Sequence, residues 1–217
     1  MKPPSVLPLL LNVLFLWPTC LVAEVKNYKA DVCVYGGTAS GVMAALAAEK
    51  EGSTVILIEP TRCLGGMTGG GINHLDWGKG ETVGGSTYKI LMDGLKDQKR
   101  AHGGHAKHGI GNKQYRERFK KLVKDRGITV IYDHRVGKVQ VGDETINKPT
   151  REQPIALGEK IVLKNKNNSI RSIILDYAPV DETGCPIPEP KKRNVITVSA
   201  KVFIDCSYEG DILGMSG

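Results

Sequence analysis

From Asp31 onward the apolar positions fall into short unbroken runs separated by glycines. Val32 to Tyr35 is one run, Gly36 to Gly41 a small-residue turn, Val42 to Glu51 a stretch rich in Ala and Leu, and Val55 to Ile58 a second run. Strand, turn, helix and strand follow from this, with Gly52 as the C-cap, and the two strands must lie parallel because a helix joins them. Tyr115, Phe119, Leu122 and Val123 recur at i, i+4, i+7 and i+8, which predicts a helix from about Lys113 to Arg126 bounded by Asn112 and Gly127. It leads into a third parallel strand at Ile128 to Tyr132, and a further helix is predicted from Thr87 to Arg100 with Ser86 as its N-cap. The pattern then shortens. Runs at Val136 to Val141, Lys160 to Leu163, Ile170 to Leu175 and Val195 to Ser199, divided by polar turns, predict an antiparallel meander. Pro179 to Arg193 holds four prolines and reads as an exposed loop, and Val202 to Ile204 as one more strand. The class is α/β, a parallel sheet with an antiparallel β-meander.

Composition narrows this reading. The 217 residues are 41% hydrophobic and 24% charged, with 26 glycines and 11 prolines, which excludes a disordered tail, a coiled coil and a collagen. Five cysteines with no C-x-x-C pair exclude a disulfide scaffold, a zinc ribbon and a thioredoxin motif. An aromatic content of 6% argues against a stacking platform, and no nucleic-acid partner is expected. Residues 1–23 open with Met1-Lys2, continue as an apolar run and end at Leu21-Val22-Ala23, the form of a signal peptide, so the protein is expected to be secreted or periplasmic. Pro8, Asn12 and Pro18 interrupt the run, which disfavours a membrane anchor needing about 20 apolar residues. Lipid attachment at Cys20 is disfavoured by the bulky Trp17-Pro18-Thr19 approach. Cys33, Cys63, Cys185 and Cys206 would then sit where a disulfide is allowed but not demanded, and Asn167-Asn168-Ser169 is a glycosylation sequon in a eukaryotic host.

The strongest chemical signal is Gly36-Gly37-Thr38-Ala39-Ser40-Gly41, set between strand and helix, with Glu59 closing the next strand. Small residues let a backbone approach a pyrophosphate, the helix N-terminus supplies N–H groups and a positive dipole end, and a carboxylate at the second strand's end can accept from ribose hydroxyls. Thr38 takes the middle glycine's place, so the turn must accommodate a β-branched side chain. The bland alternative is a glycine turn without a ligand. Arg62 to Gly71 follows with five glycines in ten residues, a backbone suited to wrapping a flat or charged cofactor, or else a flexible surface loop.

These residues resemble the FAD-dependent oxidoreductases of the glutathione-reductase-like superfold, and within it a secreted or periplasmic group. The resemblance rests on Asp31 to Gly41, on Glu59-Pro60 followed by Leu64-Gly65-Gly66-Met67, and on Ala200 to Asp211, which looks like a second flavin-side signature. It implies a Rossmann-like FAD-binding domain. Gly36, Gly37, Thr38, Ala39, Ser40 and Gly41 would hold the pyrophosphate and Glu59 the adenosine ribose. Pro60, Arg62, Gly65, Gly66, Met67 and Thr68 would lie near the cofactor loop, Val136 would meet the adenine through its backbone, and Gly210-Asp211 would face the cofactor from a strand end. Family members continue into a substrate domain and a last cofactor strand. Residues 24–217 therefore look like the N-terminal part of the domain, a fragment of a larger enzyme in which FAD would be held by half its contacts. The parent would transfer hydride between flavin and a small-molecule or sugar-like substrate.

Other signals carry rival readings. Residues 89–126 hold 12 Lys/Arg against 4 Asp/Glu, so the basicity is local, and a solvated helix face is preferred over a patch for polyanions. A lyase-like, polyanion-binding periplasmic protein is the functional alternative, and an inactive fragment the third. His102, His105 and His108 fall among glycines, favouring a mobile loop, and no metal is expected. His74 and Asp76 are an acid or base near the flavin, or turn residues. Cys63 is a redox or covalent-flavin cysteine or, as the lack of a C-x-x-C or C-x4-C partner favours, a structural thiol, and neither a G-x-S-x-G elbow nor a G-x-x-x-x-G-K-[ST] loop occurs. Catalytic base and oligomeric state have no signature.

Overall fold

The computed structural model describes residues 25–70, 85, 112–147 and 169–216. The leader, the helix at 87–100, the strand at 160–163, His74, Asp76, the three clustered histidines and Asn167-Asn168 lie outside the described residues. In chain order the elements are β1 (Lys26–Tyr35), α1 (Ala39–Lys50), β2 (Val55–Glu59), α2 (Gly66–Gly70), α3 (Asn112–Asp125), β3 (Thr129–Tyr132), β4 (His134–Val141), β5 (Glu144–Asn147), β6 (Ile170–Tyr177), β7 (Lys192–Asp205) and α4 (Asp211–Ser216).

The strands form a seven-stranded sheet in the order β3-β2-β1-β7-β6-β4-β5. β1 runs parallel to β2 and to β7, and β2 parallel to β3, while β7-β6, β6-β4 and β4-β5 are antiparallel. This is the α/β, Rossmann-like arrangement with a meander. Consecutive apolar residues in β1 and β2 are explained by burial on both faces. Val32, Val34, Val55 and Leu57 pack with Val42 and Ala45 of α1 and Tyr115, Phe119 and Val123 of α3. Cys33, Tyr35, Ile56 and Ile58 face the other way and share one core with Val136, Val139, Ile173 and Leu175 of the meander and Ile212 and Met215 of α4.

β7 joins the two halves. It pairs with β1 from Lys26↔Ile196 to Tyr35↔Asp205 and with β6 from Ser172↔Ser199 to Tyr177↔Lys192. The two strands expected at 195–199 and 202–204 are thus one. Lys201 interrupts the apolar pattern without interrupting the ladder, because its ammonium reaches Asp31 Oδ1 at 2.7 Å on the neighbouring strand.

α1 and α3 end on left-handed glycines as expected, Gly52 at φ 84° and Gly127 at φ 67°. Asp133, at φ 61°, is the single residue between β3 and β4, and it turns the chain from the parallel into the antiparallel half. β5 was not anticipated: Val141 pairs with Glu144 across Gly142-Asp143, a two-residue glycine hairpin. The segment from Pro179 to Lys191 is a loop with one isolated bridge, Val180↔Pro186. Cys33, Cys63, Cys185 and Cys206 are all free thiols, and burial pushes the Cys33 thiol up to about 12. Among the described residues no helix is long and apolar enough to cross a membrane.

Candidate functional site

Three chain reversals meet at the C-terminal ends of β1, β2 and β7. Gly36 leaves β1 at φ 94°, its N–H donating to Ile58 O at 2.9 Å. A Cβ on Gly36 would stand 2.7 Å from the Cys206 carbonyl carbon, one on Gly37 2.7 Å from Glu59 Oε2, and one on Gly41 1.9 Å from Gly36 O. The protein's own atoms fill the space these glycines free, so the turn owes its glycines first to the close packing of α1, β2 and β7.

Thr38 resolves the question its position raised. It sits at φ −63° and ψ 173° as the N-cap of α1, a conformation any residue adopts. Its Oγ1 accepts from Gly41 N at 3.2 Å and donates to Cys206 O at 2.9 Å, so the side chain turns inward and ties the helix start to the end of β7. Thr38→Val keeps the shape and removes both bonds. It is expected to cost about 1–2 kcal/mol in urea unfolding, with Thr38→Ser close to wild type.

Glu59 is only 6% exposed, yet it borders the cleft described below. Its Oε1 accepts Thr61 N–H at 2.6 Å and Thr61 O–H at 2.5 Å, and Oε2 accepts Gly37 N–H at 2.8 Å. Burial pushes the carboxyl above its ordinary range, outweighing the three donors that pull it down. Oε1 has both lone pairs engaged. Oε2 takes one donor among the described residues, which leaves it capacity for one more.

Up to Gly70, the last of its described residues, the glycine-rich segment is tied down by hydrogen bonds. Gly65 N–H donates to Gly37 O at 2.7 Å, Gly69 N–H to Gly65 O at 3.1 Å, and Arg116 Nε to Gly69 O at 3.1 Å. Gly66 to Gly70 forms α2 instead of the bare loop that composition suggested. At the end of β7, Asp205 Oδ1 accepts Ser207 N–H and O–H, and Oδ2 accepts the N–H groups of Ile212 and Leu213. Asp205 thereby caps α4 and fixes the turn that carries Tyr208 and Asp211.

These reversals enclose a cleft of about 480 Å³, the size of a small-molecule site. Of the residues singled out from sequence, Gly36, Thr38, Glu59, Pro60, Cys63, Gly66, Met67 and Asp211 line it. Gly37, Ala39, Ser40, Gly41, Gly65, Thr68 and Gly210 flank it without lining it. Arg62 is turned away, its guanidinium held by both oxygens of Asp133 at 2.9 Å. Val136 is buried, and its N–H donates to Tyr35 Oη at 3.2 Å.

Sequence reasoning missed Tyr35, Arg135, Tyr208 and the loop residues Gly184 and Pro186, all of which line the cleft. Tyr35 could have been found, since a tyrosine in a fully buried run needs a partner for its hydroxyl. That hydroxyl donates to Asp211 Oδ2 at 3.2 Å, and burial followed by the Asp211 charge pushes the phenol well above its usual value, so it stays a donor. Arg135 donates to Ile187 O at 3.1 Å and to Pro188 O, latching the proline loop beside the cleft.

A family model, FAD dependent oxidoreductase, matches residues 31–158. The chain belongs to this family. Its cofactor is FAD. No protein of curated function matches the chain. Among solved structures, L-proline dehydrogenase from P. horikoshii is similar at 14% identity and TM-score 0.41, over 85% of this chain and 23% of that one. The myxobacterial chondrochloren halogenase CndH is similar at 13% and 0.44, over 83% and 37%. A flavoprotein/dehydrogenase from Cytophaga hutchinsonii gives 15% and 0.44, over 85% and 40%. The chain thus spans well under half the length of each.

The residues present fit such a cofactor in three respects. The cleft opens at the N-terminus of α1, where helix amides favour a diphosphate. The Glu59 carboxylate stands one hydrogen bond from the Gly36-Gly37 turn with acceptor capacity to spare. Neither Gly36 nor Gly66 places a side chain in the cleft they line.

Proposed function

We propose that this chain is the nucleotide-holding part of a secreted or periplasmic FAD-dependent oxidoreductase acting on a small-molecule or sugar-like substrate. The observation that carries the reading is the 2.8 Å bond from Gly37 N–H to Glu59 Oε2, which sets an acid at the mouth of the glycine turn and beside the cleft. In this reading the Gly36–Gly41 turn and the start of α1 hold the diphosphate, and Glu59 Oε2 accepts one hydroxyl of the adenosine ribose. Gly66, Met67 and Asp211 border the rest of the cofactor. FAD supplies the two-electron chemistry when bound, and the protein supplies orientation and electrostatics.

Polyanion binding draws little support from α3. Lys120 pairs with Glu117, Lys121 with Asp125 and Arg126 with Glu49, while Arg116 is committed to Gly69 O.

The purified full chain, titrated with FAD, is expected to bind it with quenching of flavin fluorescence, at an affinity limited by the contacts a partial site provides. A folded protein that leaves FAD fluorescence unchanged at every concentration would overturn the reading.

A further inference from the structure

Two large apolar side chains stand exposed on the lip of the cleft, Tyr208 at 61% and Met67 at 53%. An exposed ring ordinarily turns freely, but this one is held. The Tyr208 hydroxyl accepts Met67 N–H at 2.8 Å, across to the glycine-rich segment. Its backbone is anchored next door, where Asp205 Oδ1 accepts Ser207 N–H at 3.0 Å and Ser207 O–H at 2.7 Å. Gly66, at φ 52°, completes the fit: a Cβ there would lie 2.3 Å from the Tyr208 hydroxyl. The glycine thus makes room for the tyrosine, and the tyrosine satisfies the amide that follows the glycine.

A ring held through its hydroxyl at the lip of the cleft, beside a polarizable thioether, is suited to pack against a flat ligand. We propose that Tyr208 is a cofactor-contacting residue, presenting a fixed aromatic face on which a flat heteroaromatic ring of the bound dinucleotide packs, with Met67 beside it. The inference rests on the proposed FAD-binding function. It adds a recognition surface for the ring to the recognition of diphosphate and ribose.

The test uses the full chain with FAD, FMN and ADP as probes. Tyr208→Ala is expected to weaken FAD binding about three- to tenfold and, where the flavin is the packed ring, to raise the fluorescence of the bound flavin. Tyr208→Phe keeps the ring and loses the tether. It is expected to speed hydrogen exchange at the Met67 amide and to weaken FAD by a smaller factor, about two- to fivefold. Loss confined to FMN makes the flavin the packed ring, and loss confined to ADP makes it the adenine. Either supports the proposal. Wild-type affinity and quenching in Tyr208→Ala, in a chain that does bind FAD, would overturn this inference and leave the proposed function standing. A wild-type chain that binds none of the probes overturns both.

Discussion

Gly41→Ala is expected to be among the most damaging single substitutions in the described part of the chain, costing about 3 kcal/mol or more of stability and abolishing detectable FAD binding. A methyl group at Gly41 would lie 1.9 Å from Gly36 O and 3.2 Å from Cys206 Cβ. The obstacle is backbone, which cannot rotate away. The first turn of α1 would have to lift off the end of β1, breaking the Thr38 bonds to Gly41 N–H and to Cys206 O. Because those bonds place the helix start at the cleft, stability and ligand affinity should fall together. Gly214→Ala is the control. No atom lies within 4 Å of a Cβ at Gly214, and its φ is not in the left-handed region, so alanine in α4 should be neutral or stabilising by about 0.5–1 kcal/mol. Urea midpoints and FAD titrations of the two variants check both halves. A Gly41→Ala protein as stable as wild type would mean that α1 is not seated as closely on the turn as described.

The contrast between those glycines shows what the sequence could and could not tell. Val32–Tyr35 and Val55–Ile58 are legible because strands buried on both faces leave unbroken apolar runs, and the small-residue turn between them admits few other folds. Glu59 was legible as the acid at the end of the second strand. Its dual commitment, to Thr61 on one oxygen and Gly37 on the other, depends on how tightly β2 closes against the turn, a tertiary fact. β5 was hidden because Glu144-Thr-Ile-Asn is mostly polar, although the Gly142-Asp143 pair before it was a readable hairpin signal. α2 was hidden because glycines argue against helix, and it persists because Arg116 of α3 donates to Gly69 O while Phe119 packs against Gly65 just before it. The buried run around Tyr35 signals that its hydroxyl needs a partner, but the partners of Tyr35 and Tyr208 were hidden for a common reason. Both act through a hydroxyl bonded to a residue more than a hundred positions away, Val136 and Met67 respectively. No local pattern encodes that.

Glu59→Gln is the second large effect, and it separates stability from binding. The side chain keeps its length, but one carboxylate oxygen becomes an NH₂ donor. Turned one way, that NH₂ faces Gly37 N–H, and turned the other it faces the N–H of Thr61. Either way two donors confront each other in a site only 6% exposed, and the expected cost is about 1–3 kcal/mol. Where the NH₂ faces Gly37, the lone pair proposed for the ribose hydroxyl is gone as well. In either orientation the charge that strengthened the bond is lost, so FAD affinity should drop roughly tenfold to a hundredfold. Burial raises the Glu59 pKa above its ordinary value, so the folded protein holds the proton more tightly than the unfolded chain. Its contribution to stability is therefore greatest below the unfolded value and is lost as pH rises through the raised one. Binding runs the opposite way. A ribose hydroxyl donates best to the ionised carboxylate, so wild-type affinity for FAD should fall as pH drops through the raised pKa, while Glu59→Gln shows no such decline over the same interval. FAD titrations of both proteins across that interval decide the matter: parallel pH profiles would remove Glu59 from contact with the ribose and leave it a structural clasp between β2 and the glycine turn.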